Sequence, residues 1–499
     1  FQSAEQWTST GGTIEVPNVW MPAALADLPT DPRELKDLPW FSELEWKAEG
    51  DANAEGAAWL LGPAKGAIRR KYPVPGLRIL YFGASLIPSG PNVECRVRLQ
   101  CFDAKGRLVL DRDGTPDAKH SAGVYLKTQA HTRYVILSIE KLSDGGTVAV
   151  KDINFTDDDK DRIDHKPQVD LDTAMQPIWQ GDTVHDESVL LLSKGGRLAI
   201  GHLLFPPTKI LAVKDSSFQH RYSEGRDYIV EGSTIKAVKG SGIPTMRDSD
   251  FAAGEFPWTP LEGHHVFVTY THSGRWTGPL PTHQGSVLPE TLAKLHAKKP
   301  LTVVAYGDSI TLGINVSGFR NVPPYLPTWP TLAMDRLESL FGDHQIKLYN
   351  TGLGGMTSEW GKENAKDIVA SLDPDLVFIA FGMNDFWSLK SDEFEKNVEA
   401  IMQAIRARRP KCEFILISSM RFDPAYTKDP TYIGHFDGYA ERLRKMARPG
   451  VALLDMTAIT EALYKSKDQK ELGADPMHPD DFLSRWYAQG IVATISPSK

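Results

Sequence analysis

The strongest constraint on this chain is a change of rhythm near residue 300. Beyond it, apolar runs at 301–306, 345–349, 375–381, 413–418 and 451–454 alternate with helical patterns at 328–341, 358–371, 391–409, 435–447 and 480–494. Strands separated by amphipathic helices make βαβ units and predict a mostly parallel, five-stranded sheet. In such sheets a ligand crevice opens outside the carboxyl ends of the strands, at a topological switch point. Chemistry is therefore expected at those ends.

The first 300 residues follow a different pattern. Period-two alternation marks strands at 93–101, at 134–139 and at 148–150 continuing through Ile153 and Phe155, with Asp144-Gly145-Gly146 as a hairpin signal between the last two. We assign 1–165 to a β-sandwich domain resembling carbohydrate-binding modules, ending in the charged run Thr156–Asp161. Strand signals resume at 198–200, 210–213 and 266–270, punctuated by Phe205-Pro206-Pro207 and Glu224–Asp227. These mark a second β-rich accessory domain, 166–290, with continuation of the first as the alternative, and a proline-rich stretch with one short helix connects it to the α/β domain, 291–499.

Composition removes several classes of function. Lys plus Arg is 56 and Asp plus Glu is 64, a net charge of −8, with no long basic run, so nucleic acid is not an expected partner. No apolar stretch approaches the ~20 residues that span a bilayer, and no membrane insertion is expected. Three cysteines cannot build a disulfide framework: Cys95 and Cys101 are ~20 Å apart along one strand, so they and Cys412 are read as small buried hydrophobes. Five of twelve tryptophans, Trp7, Trp20, Trp40, Trp46 and Trp59, lie in the first 60 residues; most are assigned to cores. The opening Phe1-Gln2-Ser3 resembles the remnant of a cleavable tag, and a native leader is expected to have stood upstream.

Four strand ends carry reactive groups. The first runs into Gly307-Asp308-Ser309, which presents a serine on a turn at a helix start. The second ends in Asn350-Thr351-Gly352-Leu353-Gly354-Gly355-Met356-Thr357, whose glycines free backbone N–H groups. The third ends in Gly382-Met383-Asn384-Asp385, and Asp475-Pro476-Met477-His478 precedes the last helix. Serine is a weak nucleophile without a positioned base. His478 can supply one, with Asp475 fixing its tautomer. Developing negative charge on a substrate oxygen would meet the N–H groups of Ser309 and Gly355 and the amide of Asn384. A dinucleotide fingerprint is excluded by Thr357, which stands where G-x-G-x-x-G needs its last glycine. His264-His265 lacks H-E-x-x-H spacing, and neither metal nor cofactor is expected.

These four segments resemble the four blocks of the SGNH (GDSL-type) hydrolase superfamily: G-D-S with Ser309, N-x-G-x-x-G-x-T with Gly355, G-x-N-D with Asn384, and D-x-x-H with Asp475 and His478. The resemblance covers about residues 300–499. It implies a three-layer α/β/α flavodoxin-like domain and hydrolysis of an ester through an acyl-serine, without a metal. The long β-rich region ahead of this domain resembles multidomain carbohydrate esterases. The resulting expectation is removal of O-acetyl groups from an acetylated polysaccharide or oligosaccharide by an exported bacterial protein. Asp308, Phe386 and Trp387 are candidate substrate contacts, and the loop 421–435 is another. Three alternatives stand beside it: a short-chain esterase or thioesterase acting on small or lipid esters, acetyl transfer between sugars, and a glycan-binding protein with a vestigial hydrolase unit. The oligomeric state is not legible.

Overall fold

The computed structural model describes residues 46–55, 58–74, 76, 78–129, 132–158, 166–251, 261–342, 345–422 and 431–496. The chain divides into two units, Phe1–Lys160 and Asp161–Lys499. The boundary expected near 165 lies outside the described residues, as do Trp7, Trp20 and Trp40.

In the first unit, β1 (Lys47–Glu55), β2 (Ala58–Pro73), β3 (Ile79–Ser89), β4 (Cys95–Asp103), β5 (Leu108–Gly114), β6 (Ser121–Lys127), β7 (Thr132–Lys141) and β8 (Thr147–Asp158) join one antiparallel ladder. Its order is β5-β4-β7-β2-β8-β3-β6, with β1 on β2. Alternation sets the faces: Cys95, Val97, Leu99 and Cys101 are buried while Arg96, Arg98 and Gln100 between them are half-exposed. Trp46 and Trp59 lie in this core, and all three cysteines are free and buried.

The hairpin expected at Asp144–Gly146 is corrected. That turn does join β7 to β8, but β2 lies between them. Residues Trp59–Leu61 of β2 pair with β8, whereas Gly66–Pro73 pair with β7. The turn is fastened to the point where β2 changes partner: Gly145 N–H donates to the Pro63 carbonyl (2.7 Å) and Lys141 Nζ to the carbonyls of Pro63 and Ala64 (3.1 and 3.2 Å). A strong turn sequence reverses the chain but does not choose which strand becomes its neighbour.

The second unit begins with α1 (Leu171–Ala174) and the strands β9 (Thr183–Leu190), β10 (Leu192–Ser193), β11 (Ile200–His202), β12 (Pro207–Lys214), β13 (Tyr228–Glu231), β14 (Thr234–Ala237), β15 (Met246–Arg247) and β16 (His265–His272). They form a three-stranded sheet, β12-β16-β9, and a five-stranded one, β13-β14-β11-β10-β15.

After α2 (Pro289–His296) comes the α/β part, with strands β17 (Leu301–Gly307), β18 (Ile346–Asn350), β19 (Leu376–Ala380), β20 (Glu413–Ile417) and β21 (Val451–Leu454). All pair in parallel, in the order β18-β17-β19-β20-β21. Every residue of β19 and β20 is buried, as both faces must be when helices cover them. The helices are α3 (Ser309–Leu312), α4 (Trp329–Phe341), α5 (Ser358–Asn364), α6 (Ser391–Arg406), α7 (Thr431–Met446), α8 (Met456–Leu463) and α9 (Asp481–Ile495). The helix expected over 358–371 ends as such at Asn364 and continues through a π turn and a 3₁₀ turn to Leu372.

The separate second domain expected at 166–290 is not a separate unit. Val184, Val189, Val266 and Tyr270 share one hydrophobic core with Val303, Trp329, Phe378 and Trp486. Helix α9 makes the join: buried Arg485 donates to the carbonyls of Ala174 and His185 (2.9 and 2.7 Å), and the Trp486 ring lies 5.2 Å from those of Trp179 and Trp276.

Candidate active site at the strand ends

Successive strands leave β17 toward opposite edges of the sheet, so the switch point lies at its carboxyl end, where Ser309 stands. Asp308 is extended and accepts the Ile310 N–H (3.0 Å), capping the single-turn helix α3, which Gly313 closes at φ +90°. Neighbouring loops grip this turn. Asn350 donates to the Thr311 carbonyl (2.9 Å) and accepts the Gly352 N–H (3.0 Å). A Cβ on Gly352 would stand 2.5 Å from Leu312 N, and one on Gly307 2.2 Å from the Ala380 carbonyl oxygen. These two glycines let the backbones meet.

Gly355 has φ +77° with open space where a side chain would be. Asn384 reaches the same loop, donating from Nδ2 to the Met356 carbonyl (3.0 Å). Its neighbour Asp385 is fully buried and accepts the Ser358 N–H (2.9 Å) and hydroxyl, tying the Asn384 turn to the start of α5. Burial pushes the Asp385 carboxyl up to about 6. Burial also pushes Asp308 up to about 7, against its bond from Ile310 N–H; the Asp385 charge raises it further and His478 opposes.

Asp475 and His478 belong to a tight hairpin, β22 (Gly473–Asp475) and β23 (His478–Pro479), and β23 packs against α3. The Asp475 carboxylate receives four donors. Its Oδ1 accepts the N–H groups of Met477 (2.7 Å) and His478 (3.0 Å). Its Oδ2 accepts His478 Nδ1 (2.7 Å) and Asn315 Nδ2 (2.6 Å). That network assigns the proton to Nδ1 and leaves the lone pair on Nε2, which is buried and has no hydrogen-bond partner. Such an imidazole can accept a proton from a neighbouring hydroxyl.

Ser309, Gly355, Asn384, Asp475 and His478 thus sit on four adjoining loops at one end of the sheet. Two candidate substrate contacts are corrected. Asp308 is 2% exposed and caps α3, and Phe386 is 0% exposed, packed on Trp387, Phe422 and Phe436. Trp387 is 45% exposed. Of the loop 421–435, residues 423–430 lie outside the described residues; Arg421 pairs with Asp437 and Glu461. Asn315 was not singled out from the sequence as a site residue, and its amide donates to Asp475.

Residues 305–482 carry a domain that matches the GDSL-like lipase/acylhydrolase family. No curated protein matches the chain. Among solved structures, the chain is similar to a two-domain esterase (CEX) active on acetylated mannans, with 21% identity over 42% of this chain and TM-score 0.34. The match spans 53%, about half, of that protein's length. It is also similar to the acetylxylan esterase Axe2 from Geobacillus stearothermophilus (18% identity, 40% of this chain, 95% of that one, TM-score 0.34). A third is LAE5, an α/β hydrolase from the Lake Arreo metagenome (22% identity, 39% and 96% coverage, TM-score 0.33).

Proposed function

We propose that the GDSL-like domain makes this protein a serine carboxylic ester hydrolase that removes O-acetyl groups from a polysaccharide or oligosaccharide. The observation that carries the reading is the His478 ring, bonded to Asp475 through Nδ1 and unpartnered at Nε2, on a hairpin packed against the serine-bearing turn. In the mechanism Ser309 Oγ attacks the acyl carbonyl carbon while His478 Nε2 takes the hydroxyl proton. The N–H groups of Ser309 and Gly355 and the Asn384 amide stabilise the oxyanion. His478 then protonates the departing alcohol, and water, deprotonated by the same imidazole, hydrolyses the acyl-serine to free acid.

Supporting a sugar substrate is Trp387: its half-exposed indole is backed by Phe386 and Phe422 three residues beyond Asn384, a face suited to stacking on a pyranose ring. Residues 161–499 are the catalytic unit in this reading. The 1–160 unit, whose eight described strands join one antiparallel sheet, is an accessory domain in the same reading. An exported setting fits a polymeric substrate. A second reading, hydrolysis of longer acyl esters, is favoured by the match to a family named for lipases as well as acylhydrolases.

Nitrophenyl esters from acetyl to octanoyl separate the two. Acetyl should be preferred, because a small acyl pocket gains nothing from added methylenes, each worth only ~1–3 kcal/mol where they fit. Rates that rise with chain length would select the lipid-ester reading, and binding of glycan without turnover of any ester would leave a vestigial hydrolase. On an acetylated oligosaccharide, Trp387→Ala should raise KM about tenfold while leaving nitrophenyl acetate turnover unchanged. Equal KM values on the oligosaccharide would remove Trp387 from the sugar site.

The oxyanion assignment has its own test. Asn384→Ala is expected to lower kcat by about 10²–10³ with KM little changed, as loss of one preorganised donor does elsewhere. A kcat within twofold of the parent would take Asn384 out of the oxyanion hole.

A further inference from the structure

The segment that delivers Asp475 and His478 is anchored by charges buried far from solvent. Lys467, Glu187 and Glu471 have side chains 0%, 0% and 1% exposed. Lys467 Nζ bonds Glu187 Oε1 (2.5 Å) and the Ser188 carbonyl (3.0 Å), and stands 3.6 Å from Glu471 Oε2. Glu187 also accepts the Leu204 N–H (2.8 Å) and the Tyr270 hydroxyl (2.6 Å). Glu471 accepts His202 N–H (2.8 Å) on Oε2 and His202 Nδ1 (2.7 Å) on Oε1, while its carbonyl accepts the Ser188 hydroxyl (2.9 Å). The partners of these three charged side chains outside the 467–471 segment come from β9, β11, the Leu204 turn and β16.

The anchor connects directly to the hairpin. Glu471 is followed by Leu472, whose carbonyl accepts the Asp480 N–H (3.1 Å), and Gly473 pairs with Pro479. The hairpin is therefore closed on itself between Leu472 and Asp480, and its orientation follows its root. Apolar packing is non-directional, whereas a buried carboxylate with each oxygen assigned to a donor admits one orientation. Ion clusters of this kind are poor sources of stability, since desolvation opposes their attraction.

We propose that Glu187, Lys467 and Glu471 are positioning residues for the reaction: the strands of the 183–272 region hold the acid–base hairpin in register with Ser309 through this cluster. The inference rests on the esterase reading of the site. It gives the β-rich segment of the catalytic unit a task in catalysis, distinct from binding substrate.

Glu471→Gln tests it. The substitution keeps the side chain's shape and leaves Lys467 and Glu187 as a one-to-one pair, but sets an amide N–H against one of the two His202 donors. Ser188→Ala is a milder second variant that removes the hydroxyl donated to the Glu471 carbonyl and leaves all three charges in place. Both are compared with the parent by steady-state kinetics on nitrophenyl acetate, and by the downfield proton signal of the His478 Nδ1–H bond. For folded protein we expect kcat to fall about tenfold in Glu471→Gln and about threefold in Ser188→Ala. KM should be unchanged and the downfield signal broadened or shifted. A purely structural cluster would lower the melting temperature and leave kcat and the signal as in the parent; that result overturns the proposal. Should Glu471→Gln not fold, Ser188→Ala decides alone by the same criteria. A parent without esterase activity, or one whose activity survives Ser309→Ala, would instead overturn the reading of the site itself.

Discussion

Ser309→Ala is expected to lower kcat by about 10⁵–10⁶-fold while leaving KM and the melting temperature close to those of the parent. The size of the loss follows from the roles proposed for the triad: without the hydroxyl no acyl-enzyme would form, and only oxyanion stabilisation and binding of the ester would remain to assist direct attack by water. Stability should hold because Ser309 does not cap its own helix. The Ile310 N–H is taken by Asp308, and the Ser309 carbonyl goes on accepting the N–H groups of Gly313 and Ile314. Steady-state hydrolysis of nitrophenyl acetate beside a thermal melt makes the measurement. A folded variant that keeps more than a tenth of the parent kcat would place the nucleophile elsewhere.

Asp475→Asn comes second in size, at about 10⁴-fold in kcat, or roughly 5.5 kcal/mol of transition-state stabilisation. All four groups around this carboxylate are donors: Met477 N–H, His478 N–H, His478 Nδ1 and Asn315 Nδ2. Whichever way an asparagine amide turns, its NH₂ meets donors. Relief comes when His478 moves its proton to Nε2, which then has no lone pair to offer the serine. Activity should remain measurable, because Ser309, His478 and the oxyanion donors are all still present. A loss as deep as that of Ser309→Ala would mean that Asp475 does more than orient the ring.

The parallel sheet was legible because each of its strands is a short, nearly continuous apolar run. The five runs expected from 301 to 454 coincide with β17 to β21 to within a residue or two. The candidate residues Ser309, Gly355 and Asn384 follow three of those runs within a few positions, so finding the strand locates the loop, whereas Asp475 and His478 stand beyond α8, well past the last run. Partnership across the sequence was not. Nothing local distinguishes Asp144–Gly146 closing a hairpin from the same turn stepping over β2. The strand signals at 198–200, 210–213 and 266–270 mark strands, but they do not say that this region shares one core with α9. Phe386 and Trp387 are adjacent aromatics in one turn, and only the packing of Phe422 and Phe436 decides which is buried. Lys467 and Glu187, 280 residues apart, read separately as ordinary charged positions.

The core that runs from Val184 to Trp486 bears on how such a chain can be inherited and recombined. A gene segment can be shuffled freely only if its product closes its own interior. A cut near residue 290 would strip α9 of Trp179 and Trp276 and open the interior on both sides, whereas a cut near 160 falls where the chain already divides. The exchangeable piece is therefore the whole stretch from Asp161 onward. Within it, β9 and β11 bond directly to the 467–471 segment that leads into the histidine hairpin, so a change of packing on one side is felt on the other.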